Sequence, residues 1–242
     1  MMAQKHGVNI NCDLGEGMAN DHHLMPMLSS CNIACGGHYG DENTIRKTIQ
    51  LAQKYGVRCG AHPSYPDREN FGRKEMEIST NELINSLKYQ IHLFQKIATE
   101  ENCEFHHIKL HGALYNRAAN DIEIGKVVLN AFEELPKSIR LYVPSESKFA
   151  RLAEKKFAIC EEAFIDRTYQ NDLSLTPRTD ENALIKEPEL AWQQLKLLLD
   201  FKKVSTNSGT KIDLNASTFC IHGDSENSLE ILTYISNQLN NG

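Results

Sequence analysis

The sequence predicts an α/β fold in one domain, residues 1–242, with seven strands closed into an irregular, TIM-like (βα) barrel. Short strand-like runs alternate with amphipathic helical stretches along the whole chain. Within several runs polar and apolar residues alternate. Titratable residues recur where the runs stop.

The first run, 8–12, sets the pattern: Asn9, Asn11 and Asp13 alternate with Val8, Ile10 and Cys12. The second, 31–34, leads through the Gly36-Gly37 turn to a helix over 41–55. The third, 57–61, precedes a helix over 81–101, which opens on the capping-box pattern Ser79-Thr80-Asn81-Glu82 and carries Leu83, Leu87, Ile91, Phe94 and Ala98 at helical spacing. In the fourth, 105–110, His107, Lys109 and His111 alternate with Ile108 and Leu110. A helix over 122–135, a run at 140–143, a helix over 145–155 and a run at 157–160 follow. A helix over 188–201, the last run at 218–221 and a helix over 226–238 complete the order. An open doubly wound sheet would make both strand faces apolar. A barrel instead turns one face to the outer helices and the other into a partly polar lumen.

Composition narrows the function. The formal charge is −6, with 40% hydrophobic and 24% charged residues, and Lys and Arg are scattered. That leaves no basic footprint for nucleic acid. No stretch approaches the roughly 18 apolar residues of a membrane span, and the first residues carry no apolar leader core, so a cytoplasmic protein is expected. The seven cysteines are an odd number with no CxxC spacing, and are expected to be reduced and structural.

In a βα barrel all strand ends meet at one rim, where active sites are built. The first strand brings Asn11, Asp13 and Glu16; the second His38 and Asp41; the third His62 and Asp67. The fourth contributes Lys109, His111 and Asn116, the sixth Glu162, Asp166 and Arg167, the seventh His222 and Asp224. Taken singly each has an ordinary structural reading, and Asp41 reads equally as a helix cap and as a ligand contact. Recurrence at strand end after strand end is what capping does not require. No phosphate-loop pattern occurs.

Seven blocks, in order, carry a resemblance: Asn11-Cys12-Asp13-Leu14-Gly15-Glu16, Asn32-Ile33-Ala34-Cys35-Gly36, Gly60-Ala61-His62-Pro63-Ser64-Tyr65-Pro66-Asp67, Phe71-Gly72-Arg73, Lys109-Leu110-His111-Gly112-Ala113-Leu114-Tyr115-Asn116, Glu162-Ala163-Phe164-Ile165-Asp166-Arg167 and Cys220-Ile221-His222-Gly223-Asp224. Together they resemble the LamB/YcsF family. The resemblance implies a barrel like that of polysaccharide deacetylases. It also implies opening of 5-oxoproline to L-glutamate coupled to hydrolysis of ATP, with Mg2+, beside B and C partner subunits. Two departures stand out. Gly37 replaces a more usual aromatic residue, which is expected to widen the mouth beside His38, and Leu110 replaces a usual Pro on the outward side of its strand.

For that chemistry the expected catalytic residues are Asp13, Glu16, His62, Lys109 and His111. Asp13, with Glu16 nearby, is the expected base, and His62, His111 and His222 are candidate proton carriers. Lys109, with Arg73 or Arg167, is the expected anion partner. Asn11, His38, Arg73, Asn116, Glu162, Asp166, Arg167, His222 and Asp224 are the expected substrate contacts. The rival reading is a metal-dependent, deacetylase-like hydrolase of a small amide or carbohydrate. Against it, Pro66 stands where a second ligand histidine would follow His62, and His107 and His111, though correctly spaced, are expected at different depths. No tightly bound transition metal is therefore expected. A non-catalytic scaffold for partner subunits would need no buried Lys109 or histidine cluster.

Overall fold

A computed structural model describes residues 7–241; residues 1–6, read above as carrying no leader, and residue 242 lie outside it. Seven parallel strands close in the order β1 (Ile10–Leu14), β2 (Ser30–Ala34), β3 (Arg58–His62), β4 (Phe105–Lys109), β5 (Arg140–Pro144), β6 (Ala158–Phe164) and β9 (Thr218–His222), with β9 pairing back onto β1. The alternation behaves as a barrel demands. Ile10, Cys12 and Leu14 join the apolar core outside the strands, while Asn11 reaches across the lumen to Glu162 and Thr218.

The helices are α1 (Asp21–Leu24), α2 (Glu42–Tyr55), α3 (Thr80–Glu100), α4 (Gly112–Asn120), α5 (Ile122–Ala131), α6 (Lys148–Ala153), α7 (Pro188–Phe201) and α8 (Ser228–Asn241). Capping explains several boundaries. Asp41 and Thr44 form a reciprocal box at the start of α2, and Ser79 and Glu82 do so at α3. Asp41 is thus a cap, held by its own first turn. Asp121 caps α5 and breaks the chain after α4. Helix α6 starts only at Lys148, because Glu146 takes a left-handed φ of 57° and Ser147 caps. A small hairpin, β7 (Lys203–Ser205) and β8 (Lys211–Asp213), was not expected. None of the helices among the described residues is long and apolar enough to cross a membrane. All seven cysteines are free thiols, and five of them are buried.

The lower lumen is filled by one directed chain of hydrogen bonds. Arg140 can only donate, and its Nη1 lies 3.1 Å from His106 Nε2. His106 Nδ1 must then donate to His107 Nδ1 (3.0 Å), and His107 Nε2 to Asn32 Oδ1 (2.7 Å). Asn32 Nδ2 in turn donates to Asn11 Oδ1 and Asp13 Oδ1. Gly60 makes room for the His107 ring: a Cβ there would lie 2.4 Å from it.

Both imidazoles in this chain are neutral. Burial, then the charges of Arg58 and Arg140, push His106 down to about 4, and burial likewise holds His107 well below its usual value. An imidazole whose pKa is lower folded than unfolded stabilises the fold fully above about 6.5, and that stability drains away as pH falls towards 4. For His106 the loss should be on the order of 2 kcal/mol, part of the shift being screened by solvent. Denaturant melts at pH 7.5 and 4.5 check this against His106→Gln, which should show the shallower pH dependence. Equal slopes in the two proteins would show that His106 is not the group involved.

Candidate active site

At the upper rim the strand-end side chains surround a cavity of about 420 Å³ whose floor is Asp13, His62, Lys109 and His111. That is room for a small ligand. The four floor residues are at most 4% exposed, because β1, β3 and β4 deliver them from inside the barrel.

Lys109 is the hub. Its ammonium donates to Asp13 Oδ1 (2.9 Å) and Cys220 Sγ (2.9 Å) and sits 3.3 Å from Glu162 Oε1. Burial alone would lower its pKa, but the neighbouring Asp13, then the Cys220 sulfur and Glu162, outweigh it and hold the group well above its ordinary value. Two of its donors are therefore bonded within the protein, and its charge is shared with Glu162. The expectation that Lys109 awaits an anion gives way to its being the shared counter-ion of two buried carboxylates. Glu162 is held from the other side by Tyr115 Oη (2.7 Å) and Asn11 Nδ2 (2.9 Å). Asn11 and Glu162 thus support the floor from below.

Asp13 and Glu16 take opposite states. Burial pulls Asp13 upward, yet the His62 ring and the Lys109 ammonium that face it win and keep it well below the carboxylate range. Burial, reinforced by Asp13 and Asp224, pushes Glu16 well above that range. Glu16 is therefore the proton-bearing carboxyl, and the expected base, Asp13, is held ionised. Glu16 Oε1 lies 2.9 Å from His38 Nε2. Ser64 Oγ donates to Tyr65 O (2.7 Å), so it must accept from His38 Nδ1 (3.1 Å). His38 Nε2 is then an acceptor, and the contact holds one proton, kept on Glu16 because burial lowers His38. His38 does not face the cavity as expected: it is 1% exposed and stacks behind His111 at 3.7 Å.

Each remaining histidine is aimed by a partner. His62 Nδ1 donates to Lys109 O and His111 Nε2 to Phe71 O, both at 2.9 Å. Phe71 adopts a left-handed φ of 55°, and its loop closes onto Gly112, where a Cβ would lie 2.4 Å from Gly72 O. His222 borders the cavity, with Asp166 accepting from its backbone N and its Nδ1. Asp166 is a positioning group, not a substrate contact.

At the mouth Arg73 pairs with Asp224, and Arg178 reaches the same carboxylate at 4.0 Å. Arg167 borders the cavity as expected, but its donors are used within the protein. Its guanidinium is spent on Ala183 O and Thr176 O, and burial, with the nearby Arg178 charge, brings its pKa down to about 10. It pins the excursion between β6 and α7 that supplies the far wall, including Thr176 and Arg178. Asn116 borders the cavity as expected. Gly37 does not widen the mouth, since Ser64 and Gln90 occupy the space a side chain would need. Leu110 is 3% exposed and borders the cavity as well. Pro66 is exposed, and the imidazole that meets His62 is His111, from the next strand end. His107 lies deeper, as expected from its strand position.

The residues overlooked in the sequence are Tyr115, Asn32 and Arg178. The first two sit inside the quoted blocks, but only their partners Glu162 and Asp13 reveal them.

Comparison with known proteins agrees over nearly the whole length. The sequence profile of the LamB/YcsF family matches residues 8–242. A Bacillus cereus protein named as the A subunit of 5-oxoprolinase is 39% identical, over 97% of this chain and 96% of its own. One of the same name from Bacillus cytotoxicus is 38% identical, over 92% and 91%. The structure of a lactam utilization protein from Thermus thermophilus superposes with a TM-score of 0.89 at 32% identity, over 97% of this chain and 96% of that one. A family 4 carbohydrate esterase from Streptomyces lividans, at a TM-score of 0.50 and 11% identity over 97% and 88%, shares the fold alone.

Proposed function

The chain belongs to the LamB/YcsF family, and from that premise we propose that it is the A subunit of a 5-oxoprolinase, a hydrolase opening 5-oxo-L-proline to L-glutamate. Hydrolysis of ATP, with Mg2+, drives the reaction in a complex with B and C subunits in the cytoplasm. The observation that carries the reading is the cavity floor, where ionised Asp13 and two oriented imidazoles meet beneath a mouth bearing Arg73 and Arg178, with protonated Glu16 buried beside His111.

A five-membered lactam is a resonance-stabilised amide and a poor electrophile, so water attacks it only when the carbonyl is activated. Phosphorylation of the lactam oxygen by ATP activates the ring carbon: water adds there, the C–N bond breaks as the ring nitrogen takes up a proton, and a second water releases phosphate from the acyl phosphate that results. In this reading Arg73 and Arg178 receive the ring carboxylate in place of Asp224. Asp13 Oδ2, His62 Nε2 and His111 Nδ1 are acceptors that orient the attacking water. Glu16, with His38 behind it, carries the proton exchanged with the ring nitrogen. The role of Lys109 is to keep Asp13 ionised.

Glutamate formation from 5-oxoproline, assayed with the chain alone, with B and C partners, and with and without ATP, tests this. Turnover is expected only with partners and ATP together. Robust lactam opening by the single chain without ATP would overturn the coupled reading.

A further inference from the structure

We infer that Asp13 Oδ2, His62 Nε2 and His111 Nδ1 form a binding site for a divalent transition cation on the cavity floor. The starting point is where the imidazole protons must be. A backbone carbonyl only accepts, so the His62 contact with Lys109 O places a proton on Nδ1, and the His111 contact with Phe71 O places one on Nε2. The two remaining ring nitrogens, His62 Nε2 and His111 Nδ1, then face each other as lone pairs 3.0 Å apart. A third acceptor joins them. Asp13 Oδ1 is taken by Lys109 and Asn32, and Oδ2 points to His62 Nε2 at 3.3 Å.

Three buried acceptors within 4.8 Å of one another need positive charge between them. A proton on His62 Nε2 would serve one neighbour at a time. A cation serves all three, and ligand distances of about 2.0–2.2 Å put tetrahedral donors roughly 3.3–3.6 Å apart, near the 3.0 and 3.3 Å that separate His62 Nε2 from its two neighbours. The supporting contacts are those of a metal centre: each histidine's far nitrogen is held by a carbonyl, and the carboxylate's far oxygen by an ammonium and an amide. Two imidazoles favour zinc, cobalt, manganese or iron over magnesium. Bound there, such an ion would act as a Lewis acid towards a ligand in the cavity.

The absence of histidine at position 66 does not oppose this site, since its second imidazole arrives from β4 rather than from the loop after β3. The inference goes beyond lactam opening, and cation binding by the isolated chain is measured without turnover, so either reading can fail alone. The purified full chain, stripped with chelator, is titrated with Co2+ and followed by visible absorption and calorimetry, then challenged with Zn2+. One equivalent is expected, with the d–d bands of a four- or five-coordinate nitrogen–oxygen site, displaced by Zn2+. Asp13→Asn and His111→Gln should each weaken binding by at least about 10–100-fold, the loss seen when even an outer partner is removed. His106→Gln, below the site, should bind as the parent does. If Asp13→Asn fails to fold, His111→Gln alone decides. No saturable Co2+ binding, or bands unchanged in a folded His111→Gln protein, would overturn the site.

Discussion

Lys109→Met is expected to lower stability by about 3–5 kcal/mol, the cost of leaving a buried charge without its partner. In a chain of this size that is a fall of roughly 10 °C in melting temperature. Lys109 is 2% exposed and is the counter-ion common to Asp13 and Glu162. Methionine fills the space of the stem but leaves two carboxylates facing each other in the lumen. From the sequence alone two outcomes stand: an anion-binding Lys109 lost to methionine abolishes turnover and spares the fold, whereas a Lys109 paired with a carboxylate such as Asp13 or Glu162 lowers the melting temperature and leaves kinetics near normal. The structure favours the stability loss, because the ammonium is already bonded to Asp13 and Cys220 and paired with Glu162. Removing one carboxylate as well should restore part of the loss. Lys109→Met/Glu162→Gln should therefore melt above Lys109→Met, with Tyr115 still bonded to residue 162. A single variant as stable as the parent would show that the ion pair contributes little.

The barrel was legible because a polar lumen writes a period of two into β1, β4 and β9 that an open parallel sheet would not show. Boundaries moved where local chemistry is silent. Helix α4 starts at Gly112, and His111 before it makes no side-chain cap, so nothing in the sequence marks it. The β7–β8 hairpin did carry a signal, the turn residues Asn207-Ser208-Gly209, between runs too short to stand out. The rim residues were legible from recurrence at strand ends, but depth was not. His38 and His111 follow their strands in similar ways, yet one is stacked behind the other. The groups that settle proton positions, Lys109 O and Phe71 O, are backbone atoms and leave no trace in residue type. Asp13 reads as the base from the sequence, with Glu16 three positions on, but residue type does not say which carboxyl holds a proton. Only the surroundings, His62 and the Lys109 ammonium facing Asp13 against the desolvated setting of Glu16, separate them.

Glu16→Gln is expected to lower kcat for glutamate formation by about 10²–10⁴, the contribution of a positioned proton carrier, with KM and the fold little changed. Burial keeps the Glu16 carboxyl protonated, and its proton is the one donated to His38 Nε2 across 2.9 Å. Glutamine reproduces that arrangement, because its amide N–H donates to the same nitrogen and its size is unchanged. It differs in the one property at issue: an amide cannot release the proton. A residue whose role was only to hold His38 against His111 would therefore tolerate glutamine fully. The reconstituted complex, supplied with 5-oxoproline and ATP, reads kcat and KM for both proteins, and a thermal melt confirms that the variant is folded. A buried ionisable group replaced by a neutral isostere should leave the melting temperature equal or higher. A folded variant with kcat within a few-fold of the parent would remove Glu16 from the proton path and return that role to the histidines around it.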